Sequence, residues 1–254
     1  MDSIPIRNPF PDAECFLVPV TDSTMEEARR LAASGYPEGT VVAADRQTAG
    51  RGRFRNRTWT SEPGQDLTFT AILPSRYGSL PGLPLRIGLA LHRAVEEYAQ
   101  GIGCSLRDTL AIKWPNDLLA GGRKISGLLC ESSAGRYYVG IGVNCGNPGD
   151  GSFRTPASGL AEVLGTTPDR FRLLERFLDK LFQLPDEADW RTEVTRRLWL
   201  AGSRAKFRTG LSDPGAPGAR VIEGIVRSVG DSGELILDTT DGPLALVSGE
   251  VSSL

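Results

Sequence analysis

Cysteine is scarce in this 254-residue chain, and its four copies are far apart. No two of them have the Cys-x-x-Cys spacing that marks a zinc knuckle or a redox pair, which argues against both kinds of site. In a chain of this length without a secretory signal, we expect reduced thiols rather than a disulfide framework. The four are Cys15, Cys104, Cys130 and Cys145.

Long apolar runs and a charge excess of either sign are also missing. No apolar stretch approaches the roughly 18 residues of a membrane span. Residues 1–5 contain no basic segment leading into an apolar run, which argues against a secretory signal. The formal net charge is -2, so the chain as a whole is not predicted to bind nucleic acid. These absences predict a cytoplasmic protein.

The composition is that of a globular protein with a packed core. Hydrophobic residues make up 40% of the chain and charged residues 24%. The length fits one large domain, or a medium domain with a small one. We therefore expect any function that depends on charge to reside in a local cluster.

Hydrophobic periodicity predicts strands and helices over the first 200 residues. Strands are predicted at residues 16–20, 40–44, 67–73 and 111–114, with an antiparallel pair at 125–131 and 137–143. Helices are predicted at residues 21–34 and 85–98. Thr24 and Glu27 fit a capping box for the first helix. Two further helices are predicted after Thr167-Pro168, read as an N-cap followed by proline.

Helical periodicity stops after about Gly202. Short β runs follow at residues 205–208, 221–229, 235–237 and 244–247, and residues 213–218 read as a surface loop. We predict an α+β protein, with a mixed β-sheet and packed helices over residues 1–202. Residues 203–254 are predicted to form a small all-β domain, near the size at which a core stops being self-sufficient.

The first segment that could bind a ligand is QTAGRGR, at residues 47–53. Glycines allow a backbone to approach a ligand closely, and arginines match phosphate or carboxylate geometry. With Arg55 and Arg57, four arginines fall within seven residues. On these residues alone, a phosphate-binding loop, a nucleic-acid-binding loop and a solvated loop stay equally open.

The second segment is KWPND, at residues 113–117. Asn116 and Asp117 would emerge at the end of a strand, where ligands commonly bind, and Asp117 could hold Mg²⁺ together with nucleotide phosphates. The ordinary alternative is an Asx turn.

Two further segments enter or occupy strands. Lys124, within residues 122–127, could stabilise charge on a reacting phosphate, although most lysines are simply solvated. Gly140 and Gly142 lie inside a β run that ends at Asn144. Glycines there cost stability and indicate the close approach of another group, or else a bulge or tight strand packing.

Together, in this order and spacing, these segments resemble the biotin protein ligases from about Phe16 to the C-terminus. The matching positions are Asp22-Ser23-Thr24, Gln47, Gly50 to Arg53, Lys113 to Asp117, Lys124, Gly127, Glu131, Gly140, Asn144 and the final residues 249–252. The Arg-Gly-Arg loop and the Lys-Trp-Pro-Asn-Asp segment are the most specific of these. The resemblance implies a class II synthetase-like catalytic domain and a C-terminal SH3-like β-barrel.

The resemblance also implies an activity. Members of the family join biotin and ATP, with Mg²⁺, into biotinyl-5′-adenylate and diphosphate, and then transfer biotin to a lysine of a biotin carboxyl carrier protein or domain. Both nucleophiles belong to substrates, so no activated serine, cysteine or histidine is needed. Accordingly His92, the only histidine, is expected to have a structural or surface role.

By resemblance, the site residues form three groups. The biotin site comprises Ser23, Thr24, Gln47, Gly50, Arg51, Gly52, Arg53, Lys124, Gly127 and Gly140, of which Lys124, Arg53 and Arg51 are catalytic. The ATP site comprises Arg51, Arg53, Trp59, Asn116, Lys124 and Asn144. Asp117 is assigned to Mg²⁺. Residue type alone makes ordinary core packing an equal alternative for Trp59.

The sequence departs from the family pattern in three places. Met25 stands where an asparagine is common, which removes one polar contact near the biotin site. Residues 54–56 lack the usual glycine. No room precedes Asp22 for a winged helix-turn-helix domain, so sequence-specific DNA binding is not expected. The resemblance leaves monomer and homodimer both open.

Three other functions compete with this interpretation. A lipoate ligase of the same fold is disfavoured by Gln47 with Ser23 and Thr24, which suit a ureido head. A non-catalytic biotin sensor is disfavoured by the intact Lys124 and Asp117. A nucleic-acid binder is disfavoured by the net charge of -2.

Overall fold

The computed structural model describes residues 1–53, 58–59, 63–146, 156–209 and 220–254. Its first ten strands are β1 Asp2–Ser3, β2 Cys15–Thr21, β3 Val41–Gln47, β4 Gly50–Arg51, β5 Thr58–Trp59, β6 Leu67–Leu73, β7 Leu110–Lys113, β8 Asp117–Ala120, β9 Arg123–Ser133 and β10 Arg136–Val143. The helices are α1 Thr24–Ala33, α2 Leu83–Gly101, α3 Leu160–Leu164, α4 Arg170–Phe182 and α5 Trp190–Arg196. The last five strands are β11 Arg204–Arg208, β12 Val221–Val229, β13 Leu235–Thr239, β14 Gly242–Leu246 and β15 Glu250–Ser253.

Within the described ranges, eight strands form one mixed sheet in the order β1-β2-β3-β6-β10-β9-β8-β7. Strands β2 and β3 are parallel, and the other neighbours are antiparallel. Helix α1 connects the parallel pair, as a parallel crossover requires. The predicted mixed sheet is confirmed.

The two faces of the sheet carry different layers because side chains alternate along each strand. On β6, Leu67, Phe69, Ala71 and Leu73 belong to the large core that also contains residues of α2 and α4. Ile72 belongs to a smaller core beneath α1, which includes Met25 and Ala28. The core on the α1 face is the smaller of the two, and the candidate site lies on this face.

Every strand and helix predicted from periodicity is found, with bounds that differ by a few residues. Two predicted helix starts are wrong. Helix α1 begins at Thr24 with Ser23 as its N-cap, and the Ser23 side chain accepts from the backbone N–H of Met25. Helix α4 begins at Arg170 with Asp169 as its N-cap, rather than at Thr167-Pro168.

The capping box predicted for Thr24 and Glu27 is wrong as well, because Ser23 is the capping residue. The Glu27 carboxylate instead accepts from the Thr21 hydroxyl and pairs with Arg30. The elements that the sequence pattern missed are short: β1, β4, β5, β8, β15 and α3.

Strands β11 to β15 form a second, antiparallel sheet in the order β14-β13-β12-β11-β15. This matches the β-rich tail that was expected, apart from residues 213–218, which lie outside the described residues. The sheet buries Phe207, Val226, Leu235 and Leu237 in the same continuous core as α2 and α4. A division into domains at residue 202 stays a prediction.

Trp114 joins the two sheets. Its indole N–H donates to the Gly233 carbonyl at 2.9 Å, and its ring lies 5.6 Å from that of Phe207. The peptide bond between Trp114 and Pro115 is cis. No helix among the described residues is both long and apolar enough to cross a membrane.

His92, on α2, is 2% exposed. Burial lowers its pKa to about 4, and the positive charges of Arg197 and Arg93 act in the same direction. In the unfolded chain the imidazole regains its ordinary pKa of about 6.5 and binds a proton first as the pH falls. The stability that the neutral imidazole contributes is therefore complete above pH 6.5 and is lost as the pH falls towards 4.

We expect the free energy of unfolding to fall by up to about 3 kcal/mol over this window, at roughly 1.4 kcal/mol per unit of pKa. His92→Gln should lose that part of the pH dependence because glutamine does not titrate. Urea unfolding of both proteins between pH 4 and 7 measures it. Parallel stability curves for the two would contradict this account.

Candidate active site

The α1 face of the central sheet is nearly bare at its middle strands. Gly140 and Gly142 are two residues apart on β10, so both lie on the same face. Thr70 of β6 is opposite Gly140, and Gly127 of β9 is opposite Gly142. Gly127, Gly140 and Gly142 are therefore neighbours on this face, at positions where most strand residues carry a side chain. These three glycines form a shallow surface, called the glycine floor.

The floor is covered by side chains from three different segments. A Cβ at Gly142 would lie 2.2 Å from the Trp59 ring, and one at Gly140 would lie 3.1 Å from the Met25 methyl. A Cβ at Gly127 would lie 2.9 Å from Lys124 Nζ. The close approach predicted for Gly140 and Gly142 is thus seen within the protein.

A neutral polar cluster lies at one end of this floor. Gln47 Oε1, at the end of β3, accepts from the Thr24 backbone N–H at 2.8 Å and from its hydroxyl at 3.1 Å. The Thr24 hydroxyl also lies 2.9 Å from that of Thr70. Because Oε1 is occupied, the amide nitrogen of Gln47 is left as the donor, and it lies beside Gly50.

Ser23 lies next to this cluster and is 5% exposed. Its hydroxyl accepts from the Met25 N–H at 3.3 Å, which fixes the start of α1. Ser23, Thr24, Gln47, Gly50 and Gly140 were assigned to one site from the sequence, and the structure brings these five together.

An ion pair between Lys124 and Asp117 lies on the floor near Gly127. The Lys124 Nζ is 2.7 Å from Asp117 Oδ1, and the two side chains are 26% and 15% exposed. Asp117 is directly opposite Gly127 in the pairing of β8 with β9, so it shares that face. The Trp59 ring centroid is 6.0 Å from the same Nζ.

A register shift puts Lys124 on this face. The pairing of β8 with β9 leaves Ile125 as an extra residue between Lys124 and Ser126. Such a bulge changes which side of the sheet the neighbouring side chains occupy. Ile125 is fully buried in the core, and Lys124 reaches Gly127 although the two are an odd number of positions apart, which in a regular strand would put them on opposite faces.

The protein offers few side chains that could ligate a metal ion at this site. Within the described ranges, no three of the His, Cys, Asp and Glu side chains are grouped for metal binding. Asp117 is of a suitable type, yet the cation Lys124 is bound to one of its oxygens. Asp117 therefore fits a magnesium ion only as a single ligand, with phosphate oxygens and water supplying the rest.

The two asparagines assigned to ATP make contacts within the protein. Asn116 donates to the Leu128 carbonyl at 2.8 Å, in the turn between β7 and β8. Asn144 is 9% exposed and donates to the Ser158 carbonyl at 3.1 Å and to the Lys124 carbonyl at 3.4 Å. Asn144 thus holds the backbone of Lys124, whatever it contributes to ligand binding.

The arginines of the glycine-rich loop point to protein partners. Arg51 pairs with Glu26 in the first turn of α1. Arg53 donates to the carbonyl of Gly249, the residue before β15 of the second sheet, at 3.4 Å. Gly52 separates them. Residues 54–56, together with Arg55 and Arg57, lie outside the described residues, so the expectation about the missing glycine stays untested.

Some residues of the site were not predicted. The hydroxyl of Thr70 completes the polar cluster, and its signal was the sequence LTFTAIL, where threonines alternate with apolar residues. Glu26 was not predicted either, although it binds both Arg51 and Arg29. Arg29 in turn pairs with Glu131.

Comparisons with known proteins show the family of this chain. A model of the biotin/lipoate A/B protein ligase family matches residues 17–147. A biotin–[acetyl-CoA-carboxylase] ligase of Paracoccus denitrificans is 35% identical over 246 residues, which span 91% of this chain and 97% of the relative. The bifunctional ligase/repressor BirA of Bacillus subtilis is 31% identical over 253 residues, spanning 91% of this chain and 71% of the relative.

Solved structures give the same result. The biotin protein ligase of Aquifex aeolicus in complex with biotin and ATP has a TM-score of 0.76 and 27% identity, covering 96% of this chain and 98% of that one. The Leishmania major enzyme in complex with biotinyl-5-AMP has a TM-score of 0.65 and 27% identity, covering 96% and 99%. The chain belongs to the biotin/lipoate A/B protein ligase family and, within it, to the biotin protein ligases.

Proposed function

We propose that this protein is an ATP-dependent biotin protein ligase, which activates biotin as biotinyl-5′-adenylate and transfers it to a lysine of an acceptor protein. The observation that carries this is the glycine floor, with the Thr24–Gln47–Thr70 cluster at one end and Lys124 near Gly127. The two ends of biotin match these groups, because its ureido head is neutral and polar and its other end is a carboxylate. The Gln47 amide nitrogen would donate to the ureido oxygen.

In the first step, a carboxylate oxygen of biotin attacks the α-phosphorus of ATP. The bond to the β-phosphate breaks, and diphosphate leaves. Both reactants are anions, so the protein must hold them together against their repulsion. Lys124 reduces that repulsion at the floor, and Arg51 and Arg53 would do so from the loop. Magnesium bound with ATP neutralises phosphate charge, and Asp117 would hold it.

In the second step, the amine of the acceptor lysine attacks the carbonyl carbon of the adenylate. The amide bond forms, AMP leaves, and the amine loses its proton. No cysteine is required as a nucleophile, and three are poorly suited to that role. Burial raises the pKa of Cys15, Cys130 and Cys145 to about 12, so their thiols stay protonated.

Diphosphate release from ATP tests the first step, with biotin present, absent, or replaced by lipoate. We expect release that depends on biotin and exceeds release with lipoate. Release with lipoate alone would reassign the substrate, and no release with either acid would overturn the proposed activity. Labelling of a purified biotin carboxyl carrier domain then tests the second step.

Arg53 is proposed to retain the adenylate once it has formed. Arg53→Gly removes the guanidinium that contacts the Gly249 carbonyl, so the loop loses an attachment to the second sheet. We expect the adenylate to dissociate faster and to label free amines of bystander proteins. A filter assay for released biotinyl-5′-adenylate measures this. The exposed Arg172, on α4, gives a control in Arg172→Gly, and equal release by the two variants would refute the role.

The partner implied is the biotin carboxyl carrier protein or domain of a biotin-dependent carboxylase. A cytoplasmic location, the absence of sequence-specific DNA binding and the choice between monomer and homodimer stay predictions.

A further inference from the structure

Arg170, the first residue of α4, extends away from the helix towards the central sheet. Its Nη2 is 2.5 Å from Asp45 Oδ1 on β3, and its Nη1 donates to the Asp66 carbonyl at 3.4 Å. The two side chains of the ion pair are 17% and 30% exposed. A charge pair that is largely removed from water constrains its partners more than an exposed one does.

Asp66 connects Arg170 to the residues that follow β10. Its carboxylate accepts from the backbone N–H of Cys145 at 3.2 Å. The neighbouring Gly146 N–H donates to the Gln65 carbonyl at 2.9 Å. Residues 64–66 are therefore attached on one side to residues 145–146, and on the other to Asp45 and Arg170.

Both attached segments lead into the site. Cys145 directly follows Asn144, which holds the carbonyl of Lys124. The backbone N–H of Asn144 also donates to the Ile125 carbonyl at 2.9 Å, within the bulge that places Lys124. Residues 64–66 follow Trp59 in the chain, and Trp59 covers Gly142.

We infer that Arg170 is a positioning residue for nucleotide binding, an inference that rests on the proposed function. It touches neither Lys124 nor Trp59. It fixes the segment that follows Trp59 against the one that follows Asn144, and so sets the spacing across the floor. A small displacement of groups that orient a substrate has a large effect on its reaction.

Arg170→Met tests this inference, with Arg176→Met as the matched control. Arg176 lies on the same helix and pairs with Glu97 at 2.7 Å, outside the network described above. In diphosphate release, we expect Arg170→Met to raise the KM for ATP on the order of tenfold. Arg176→Met should leave that KM within about twofold, even if both variants unfold at a lower temperature.

Arg170→Lys should restore part of the loss, because lysine keeps the charge opposite Asp45 but not the forked geometry that reaches Asp66. Hydrogen exchange gives a readout independent of activity. The amides of Cys145 and Gly146 should exchange faster in Arg170→Met than in Arg176→Met.

An unchanged KM for ATP, or an equal rise in the two methionine variants, would overturn the positioning role. Unchanged exchange at Cys145 and Gly146 would do the same. A wild-type protein without biotin-dependent diphosphate release would instead overturn the proposed function, and the exchange result would still decide whether Arg170 holds these segments.

Discussion

Lys124→Gln should lower the rate of biotin-dependent diphosphate release by about 100-fold or more, the loss typical of removing one charge-stabilising group from an active site. The side chain of Lys124 is 26% exposed, and its Nζ lies 2.9 Å from where a Cβ of Gly127 would be. Glutamine can still hydrogen-bond to Asp117, but it does not carry the charge that opposes repulsion between biotin and ATP. Single-turnover adenylation measures the effect.

Lys180→Gln is a close control for this substitution. Lys180 is also 26% exposed and also forms an ion pair at 2.7 Å, with Glu97. Lys180→Gln should lose only about 1 kcal/mol of stability, because Glu97 is 43% exposed and water screens the pair. Lys124→Gln should lose more, because Asp117 is 15% exposed, so the comparison is made on the folded fraction of each protein. A Lys124→Gln protein that adenylates biotin at the rate of Lys180→Gln would remove Lys124 from the chemistry.

Gly142→Ala should also impair the enzyme strongly. The new methyl group would lie 2.2 Å from the Trp59 ring, a distance that no real contact allows, so the indole must leave its position on the floor. We expect the catalytic efficiency kcat/KM for ATP to fall by at least tenfold, because a displaced side chain disorders the site it lines. Steady-state kinetics and indole fluorescence would report the two effects.

Gly88→Ala distinguishes this from a general effect of adding a methyl group. Gly88 is also buried, but its Cβ would meet Ile112 and Leu128 at 3.9 Å, an ordinary contact. In the interior of α2, alanine should stabilise the helix by about 0.5–1 kcal/mol. Similar kinetics for the two alanine variants would show that Trp59 does not need its present position.

The sequence predicted the central elements well where a pattern of apolar residues had one possible period. The antiparallel pair β9 and β10 is an example, and so are α2 and β6. Helix starts were less predictable, because Ser23, Thr24 and Asp22 are all acceptable capping residues. Thr24 is used differently here, since Gln47 and Thr70 supply its partners from strands far away in the chain.

The site was predictable in its membership and not in its geometry. The glycines and Lys124 were identified from the motifs they belong to. Lys124 shares a face with Gly127 because of the bulge at Ile125. No local sequence pattern predicted this bulge. The role of Thr70 depends on the packing of α1 over β6, so a buried threonine in an apolar strand carried too little information by itself.

The contact of Trp114 with Gly233 and Phe207 ties the second sheet to the active site. Residues 113–117 form the hairpin turn between β7 and β8. Asp117, the partner of Lys124, is three positions after Trp114 in this turn. We therefore expect movement of the second sheet, on acceptor binding or on damage to its own fold, to shift the Asp117–Lys124 ion pair through the short turn that joins it to Trp114. In this sense we expect the C-terminal fifth of the chain to be mechanically coupled to catalysis.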